Sequence, residues 1–103
     1  MLVVVVYIPA SHVDDVKRAM FAAGAGRIGE YSHCAWQVLG CGQFMPSVRA
    51  NPHIGEAESL AQVDEYRVEM VCDDALLDAV LTAMKAAHPY EEPAFHAYPS
   101  LVN

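Results

Sequence analysis

The chain repeats itself. Slid along its own length by 64 residues, Val4 falls on Val68, Val6 on Met70, Asp14 on Asp78, Val16 on Val80, Ala19 on Ala83, Met20 on Met84 and Ala23 on Ala87. Each copy reads as a strand followed by a helix. Leu2 to Ile8 is a β-branched and aromatic run ended by Pro9, which predicts a strand buried on both faces. Ser11, with Asp14 three residues on, predicts a helix start, and Val13, Val16, Met20 and Ala23 then recur at helical spacing until Gly24 and Gly26. A second strand is predicted over His33 to Gly40, interrupted at Gly40 and Gly42. In the later copy Val63 to Cys72 alternates as a strand, and Asp73 or Asp74 caps a helix with an inner stripe of Leu77, Val80, Leu81 and Met84. His88-Pro89 closes that helix, and Ala94 to Tyr98 suits a short edge strand. Between the halves, Gly40 to Gln62 is rich in Gly, Pro and Asn and reads as a long loop or bent hairpin.

Strand-helix-strand twice over is the βαββαβ plan of a ferredoxin-like α+β fold, an antiparallel sheet with both helices on one face. At 103 residues the chain is one domain from end to end. Leu2, Val4, Val6, Tyr66, Val68 and Met70 then point toward the helices. The open face carries Val3, Val5, Tyr7 and Val71, with Arg67 and Glu69 among them. Hydrophobic residues make up 54% of the chain and charged ones 18%, so this apolar face predicts a homo-oligomer. Arg67 and Glu69 at its middle need partners, either each other across subunits or a ligand.

A net charge of −7 with six scattered Lys and Arg offers no basic footprint for a phosphate backbone, which argues against nucleic acid as a partner. Leu2 to Ile8 is too short to span a membrane and lacks the flanks of a signal peptide, so the expectation is a cytoplasmic protein without membrane contact. Cys34, Cys41 and Cys72 show no CxxC spacing and are read as reduced, mostly buried thiols.

The chemistry concentrates in His88-Pro89-Tyr90-Glu91-Glu92-Pro93, where an imidazole, a phenol and two carboxylates sit between prolines directly after a helix. His88 suits either a metal ligand or a cap on the helix C-terminus. Tyr90, Glu91 and Glu92, together with Arg67 and Glu69, form the expected ligand-binding set. His33, His53, His88 and His96 are the expected ligands of a divalent transition metal, imidazole being suited to zinc, nickel and copper. Ser11, Cys34 and Cys41 have no neighbours that mark an activated nucleophile.

Gly29, Tyr31, His33-Cys34, Gly40-Cys41-Gly42-Gln43-Phe44, Pro46, Asn51-Pro52, Ile54-Gly55, Glu65, Arg67-Val68-Glu69 and His88 to Pro93 together resemble the YqfO-type domain. That domain belongs to the Ngg-one-interacting-factor-three-like family, and the resemblance is to its free-standing form. It implies a fold similar to PII signalling proteins and CutA, which are commonly trimeric. The full-length relatives carry a two-metal site on flanking segments, and some are named homologues of a GTP cyclohydrolase. With those segments outside this chain, the metal-dependent activity is not carried over. His53 and His96 depart from the pattern, standing where relatives often have an aromatic residue and an aspartate.

Three functions compete. The favoured one is an oligomeric, PII/CutA-like binding or sensory module, trimer before dimer, taking a divalent metal or small ligand at clefts between subunits. The second is a metal-dependent hydrolase with Glu91 or Glu92 as base. The third is a structural domain that docks on a partner protein.

Overall fold

The computed structural model describes residues 1–102. Its elements are β1 (Leu2–Pro9), α1 (Val13–Ala22), β2 (Trp36–Phe44), β3 (Ala61–Cys72), a short 3-10 turn (Asp74–Leu76), α2 (Leu77–Ala87) and β4 (Phe95–Pro99). The four strands form one antiparallel sheet in the order β2-β3-β1-β4, so the predicted α+β, ferredoxin-like plan holds.

The central pair sets the core. In the β1–β3 register Val4 faces Met70, Val6 faces Val68 and Ile8 faces Tyr66. On the helix side, Val4, Val6, Ile8, Val68, Met70 and Cys72 join Val13, Val16 and Met20 of α1 and Val80 and Met84 of α2 in one buried cluster. The positions matched by the repeat therefore form most of the core.

The helices end by different means. After α1, Ala25 N–H reaches Met20 O (3.1 Å) and Gly24 N–H reaches Phe21 O (3.0 Å), with Gly24 at φ +109°. This paired closure satisfies the last carbonyls and needs a residue free to adopt positive φ. No side chain caps the start of α1; Ser11 Oγ instead meets His12 Nδ1 at 2.7 Å, which corrects the expected Ser11 cap. Asp73 does cap the turn leading into α2, accepting from Ala75 N–H at 3.0 Å.

β2 also departs from expectation. It begins at Trp36, after the left-handed His33 (φ +58°), and runs through both glycines to Phe44. Gly40 and Gly42 pair with Glu65 and Val63, making β2 and β3 one long hairpin whose loop is 45–60. An edge strand tolerates glycine when its partner's side chains need the room, and a side chain at 42 would collide with the Glu65 carboxylate.

On the open face the register aligns Trp36, Glu69, Val5 and His96 in one row and Val38, Arg67 and Tyr7 in the next. Val5 is buried, whereas Trp36, Val38 and Tyr98 are largely exposed. Among the described residues, no helix is long and apolar enough to cross a membrane. Met20→Ala and Met84→Ala, at equivalent core positions, should each cost about 2–5 kcal/mol. Thr82→Ala on the exposed side of α2 should stay within about 0.5 kcal/mol. Urea denaturation of the three variants checks both figures.

Candidate functional site

Pro89 stops α2 and leaves His88 in extended backbone (φ −73°, ψ 135°), which turns its side chain down against β1. The imidazole is buried. Its Nε2 lies 2.7 Å from the Tyr7 carbonyl oxygen, and its Nδ1 accepts from Tyr90 N–H at 3.1 Å. A carbonyl only accepts and an amide N–H only donates, so the ring is neutral with its proton on Nε2. Burial holds its pKa below the usual histidine value, with the nearby His12 and His53 acting in the same direction and the Tyr7 carbonyl opposing them. Both ring nitrogens are spent. Within this chain the His88 ring therefore has no nitrogen free for a metal, and the residue holds the C-cap position of α2 with a neutral ring tied to β1.

Fixing the turn positions the residues after it. The Tyr90 ring lies 4.9 Å from that of His88, 6.0 Å from Phe44 and 6.5 Å from His53, centroid to centroid. Its hydroxyl oxygen is buried and has no hydrogen-bond partner. Burial, and next the Glu65 carboxylate, push its pKa above the usual phenol value, so it stays protonated. Glu91 Oε1 accepts from Asn51 N–H at 3.1 Å and so ties the 45–60 loop to the turn.

Together the turn, this loop and the near end of the sheet enclose a cavity of about 220 Å³, with Tyr7, Phe44, His53, Glu65, Tyr90 and Glu92 in its wall. Glu65 leans across the bare backbone of Gly42, and burial raises its pKa.

The expected ligand set is thus divided. Tyr90, Glu91 and Glu92 line the cavity, while Arg67 and Glu69 lie outside it, paired with each other at 2.9 Å on the open face. The four histidines do not converge: His33 packs its ring 5.0 Å from Phe21, His96 stands edge-on to Tyr7 at 6.3 Å, and His53 is 5.6 Å from His12. Among the described residues of one chain, no group of three or more His, Cys, Asp or Glu is placed to hold a metal ion. Sequence reasoning missed Tyr7, Phe44 and Glu65 as site residues. The available signal was Gly40 and Gly42 on a strand facing the Glu65 segment, where missing side chains mark the path of a neighbour's.

No family model matches the chain. It is 53% identical over 94 residues to the GTP cyclohydrolase 1 type 2 homolog of Mycobacterium leprae, covering 91% of this chain and 24% of that protein. The protein of the same name from Bacillus subtilis is 47% identical, with 91% and 25% covered. The chain thus spans about a quarter of the length of these curated relatives. Among solved structures, a Bacillus cereus protein related to NIF3 matches at TM-score 0.82 and 41% identity, over 99% of this chain and 26% of that one. CutA1 from Pyrococcus horikoshii matches at TM-score 0.72 and 15% identity, over 100% and 87%. The PII-like protein CutA from Nostoc matches at 0.70 and 13%, over 98% and 82%. These last two bear on the fold alone.

The His88 geometry sets a pH dependence. Its folded-state pKa is lowered from 6.5, so on acidification the unfolded chain takes up the proton first. The contribution to stability is full above about pH 6.5 and declines below it. His88→Gln, whose amide can both donate and accept, should flatten this decline at a cost of about 1–2 kcal/mol. Urea midpoints measured from pH 8 to pH 5 on both proteins check it; an unchanged slope in the variant would discard His88 as the source.

Proposed function

We infer, for a chain that is a YqfO-type domain of the NIF3-like family with a CutA-like fold, that it is a small-ligand binding module assembling through its open sheet face, as a trimer in preference to a dimer. The observation that carries the binding reading is the cavity under the 45–60 loop, where a buried Tyr90 hydroxyl lacks any partner. Native structures satisfy such groups in the great majority of cases. A ligand satisfies this one only once the wall around it shifts, since the oxygen itself has no surface open to the cavity. The Asn51–Glu91 hydrogen bond links the loop over the cavity to the turn that forms its wall, so occupancy and loop position are coupled.

Self-assembly is supported by the open face. Trp36 is 60% exposed, and Val38 and Tyr98 nearly half so, on the same side as Val3 and Tyr7. β2 also leaves one edge unpaired over its nine residues, and such edges are commonly covered by another chain. Of the three thiols expected to be mostly buried, Cys72 is buried, Cys34 is partly so and Cys41 is exposed, and an exposed free thiol suits a reducing compartment such as the cytoplasm. The cyclohydrolase of the relatives' name belongs to much longer proteins and is not assigned to this stretch.

Native mass spectrometry of the untagged chain should give a trimer at micromolar concentration, and the double variant Trp36→Glu, Val38→Glu should give monomer. A wild-type monomer under those conditions would remove the assembly reading. Metal content read on the same sample, before and after chelator, tests the divalent ion expected of the histidines. Because the ligands of one chain do not converge, any such metal would sit between copies and be lost with the trimer.

A further inference from the structure

We propose that the cavity takes a small planar organic cation of the amidine or guanidine type, its N–H groups on the Glu65 carboxylate and its plane against the aromatic wall. The proposal rests on the cavity being the binding site inferred above. Three features of the wall select this class. The first is charge: Glu65, Glu91 and Glu92 line the cavity, and no Lys or Arg does. An anionic ligand such as a phosphate ester would meet three carboxylates and no cation. With a net charge of −7 on the whole chain, the long-range field adds to that bias.

The second is the state of each acid. Glu91 is already engaged by Asn51 N–H, and Glu92 is exposed to water. Glu65 is only part exposed and has neither a hydrogen bond nor an ion pair among the described residues. Its neighbour Arg67, two residues along the same face, is paired with Glu69 instead. A half-buried carboxylate without a cation costs free energy that a bidentate N–H donor recovers. The strand opposite keeps it there, because Gly42 leaves the space through which the carboxylate passes.

The third is shape and surface. Tyr7, Phe44 and Tyr90 line the same space, with the Phe44 and Tyr90 rings 6.0 Å apart, and a cation over an aromatic face is held by the ring quadrupole. The pocket, about 220 Å³ and open to solvent on one side, has room for one substituted ring against this wall.

The test compares three isosteric probes, benzamidinium, benzamide and benzoate, by titration into the full chain with NMR readout of the Tyr90 and Phe44 amides. The expected result is saturable shifts with benzamidinium and none with benzoate. Glu65→Gln should weaken benzamidinium binding about tenfold or more. So should Gly42→Ala, which retains the acid and displaces it. Equal binding of benzamide or benzoate at the same amides would keep the cavity as a site and overturn the cationic class. If none of the three probes, nor a set of neutral ring fragments, perturbs those amides, the cavity reading falls and this proposal with it. The wild-type probe comparison stands even where a variant fails to fold.

Discussion

The rest of the structure depends on the register between β1 and β3. Val5 faces Glu69, its own counterpart in the repeat, so the axis relating the two halves passes through that pair at the centre of the sheet. Every other central contact follows in exchange: Val4 meets Met70, the counterpart of Val6, and Val6 meets Val68, the counterpart of Val4. A slip of one residue would send both strands' core side chains to the open face and leave α1 and α2 nothing to cover. The helices obey the same symmetry, with Val16 and Met20 of one and Val80 and Met84 of the other all fully buried in the shared cluster.

His88 connects that core to the candidate site. Its imidazole is the one buried polar side chain in the core among the described residues, and it is tolerated because both nitrogens are bonded. One bond goes to the central strand, which the register holds rigid. The other goes to Tyr90, whose placement decides where the cavity wall stands. Loss of either bond would leave a buried polar group unsatisfied and free the turn, and the 45–60 loop is tied to that turn through Glu91. The far end of the turn is tied to β1 as well, Tyr7 N–H donating to the Ala94 carbonyl at 3.1 Å, so the site's geometry derives from Tyr7 of β1 at both ends of the turn.

How much of this was legible in the sequence follows from the range of each interaction. The strands, both helices, the sheet plan and the core stripe depend on periodicity and near neighbours, and the repeat alone carries that information. The His88 to Pro93 string was legible as a site because its residue types are unusual together. What it binds to was not: the Tyr7 carbonyl is 81 positions away in sequence, and backbone acceptors carry no residue signature. Gly40 and Gly42 were read as breaks because glycine usually is one. Only the facing Glu65, known from the hairpin register, shows that they are a passage for its side chain. The four histidines show the converse limit, since counting ligand types says nothing about convergence within one chain.

The site lies where the repeat fails, and there is a physical reason for that. A position shared by both halves is held to its residue type by the common core, as Val16 with Val80 and Met20 with Met84 are. A position free of that core can differ between halves without disturbing the register. Tyr7 corresponds to Val71, His88 to Gly24 and Tyr90 to Gly26. The first half ends its helix with glycine and backbone hydrogen bonds alone, Gly26 N–H reaching the Val71 carbonyl of β3 at 2.8 Å. The second half ends the equivalent helix with an imidazole and a proline, and needs the imidazole to make the equivalent link, to the Tyr7 carbonyl of β1. In meeting that need it carries Tyr90 and the acidic turn to the end of the open sheet. One half thus keeps the simpler solution to a shared problem. The other half's solution places a phenol, a carboxylate and a loop around one cavity.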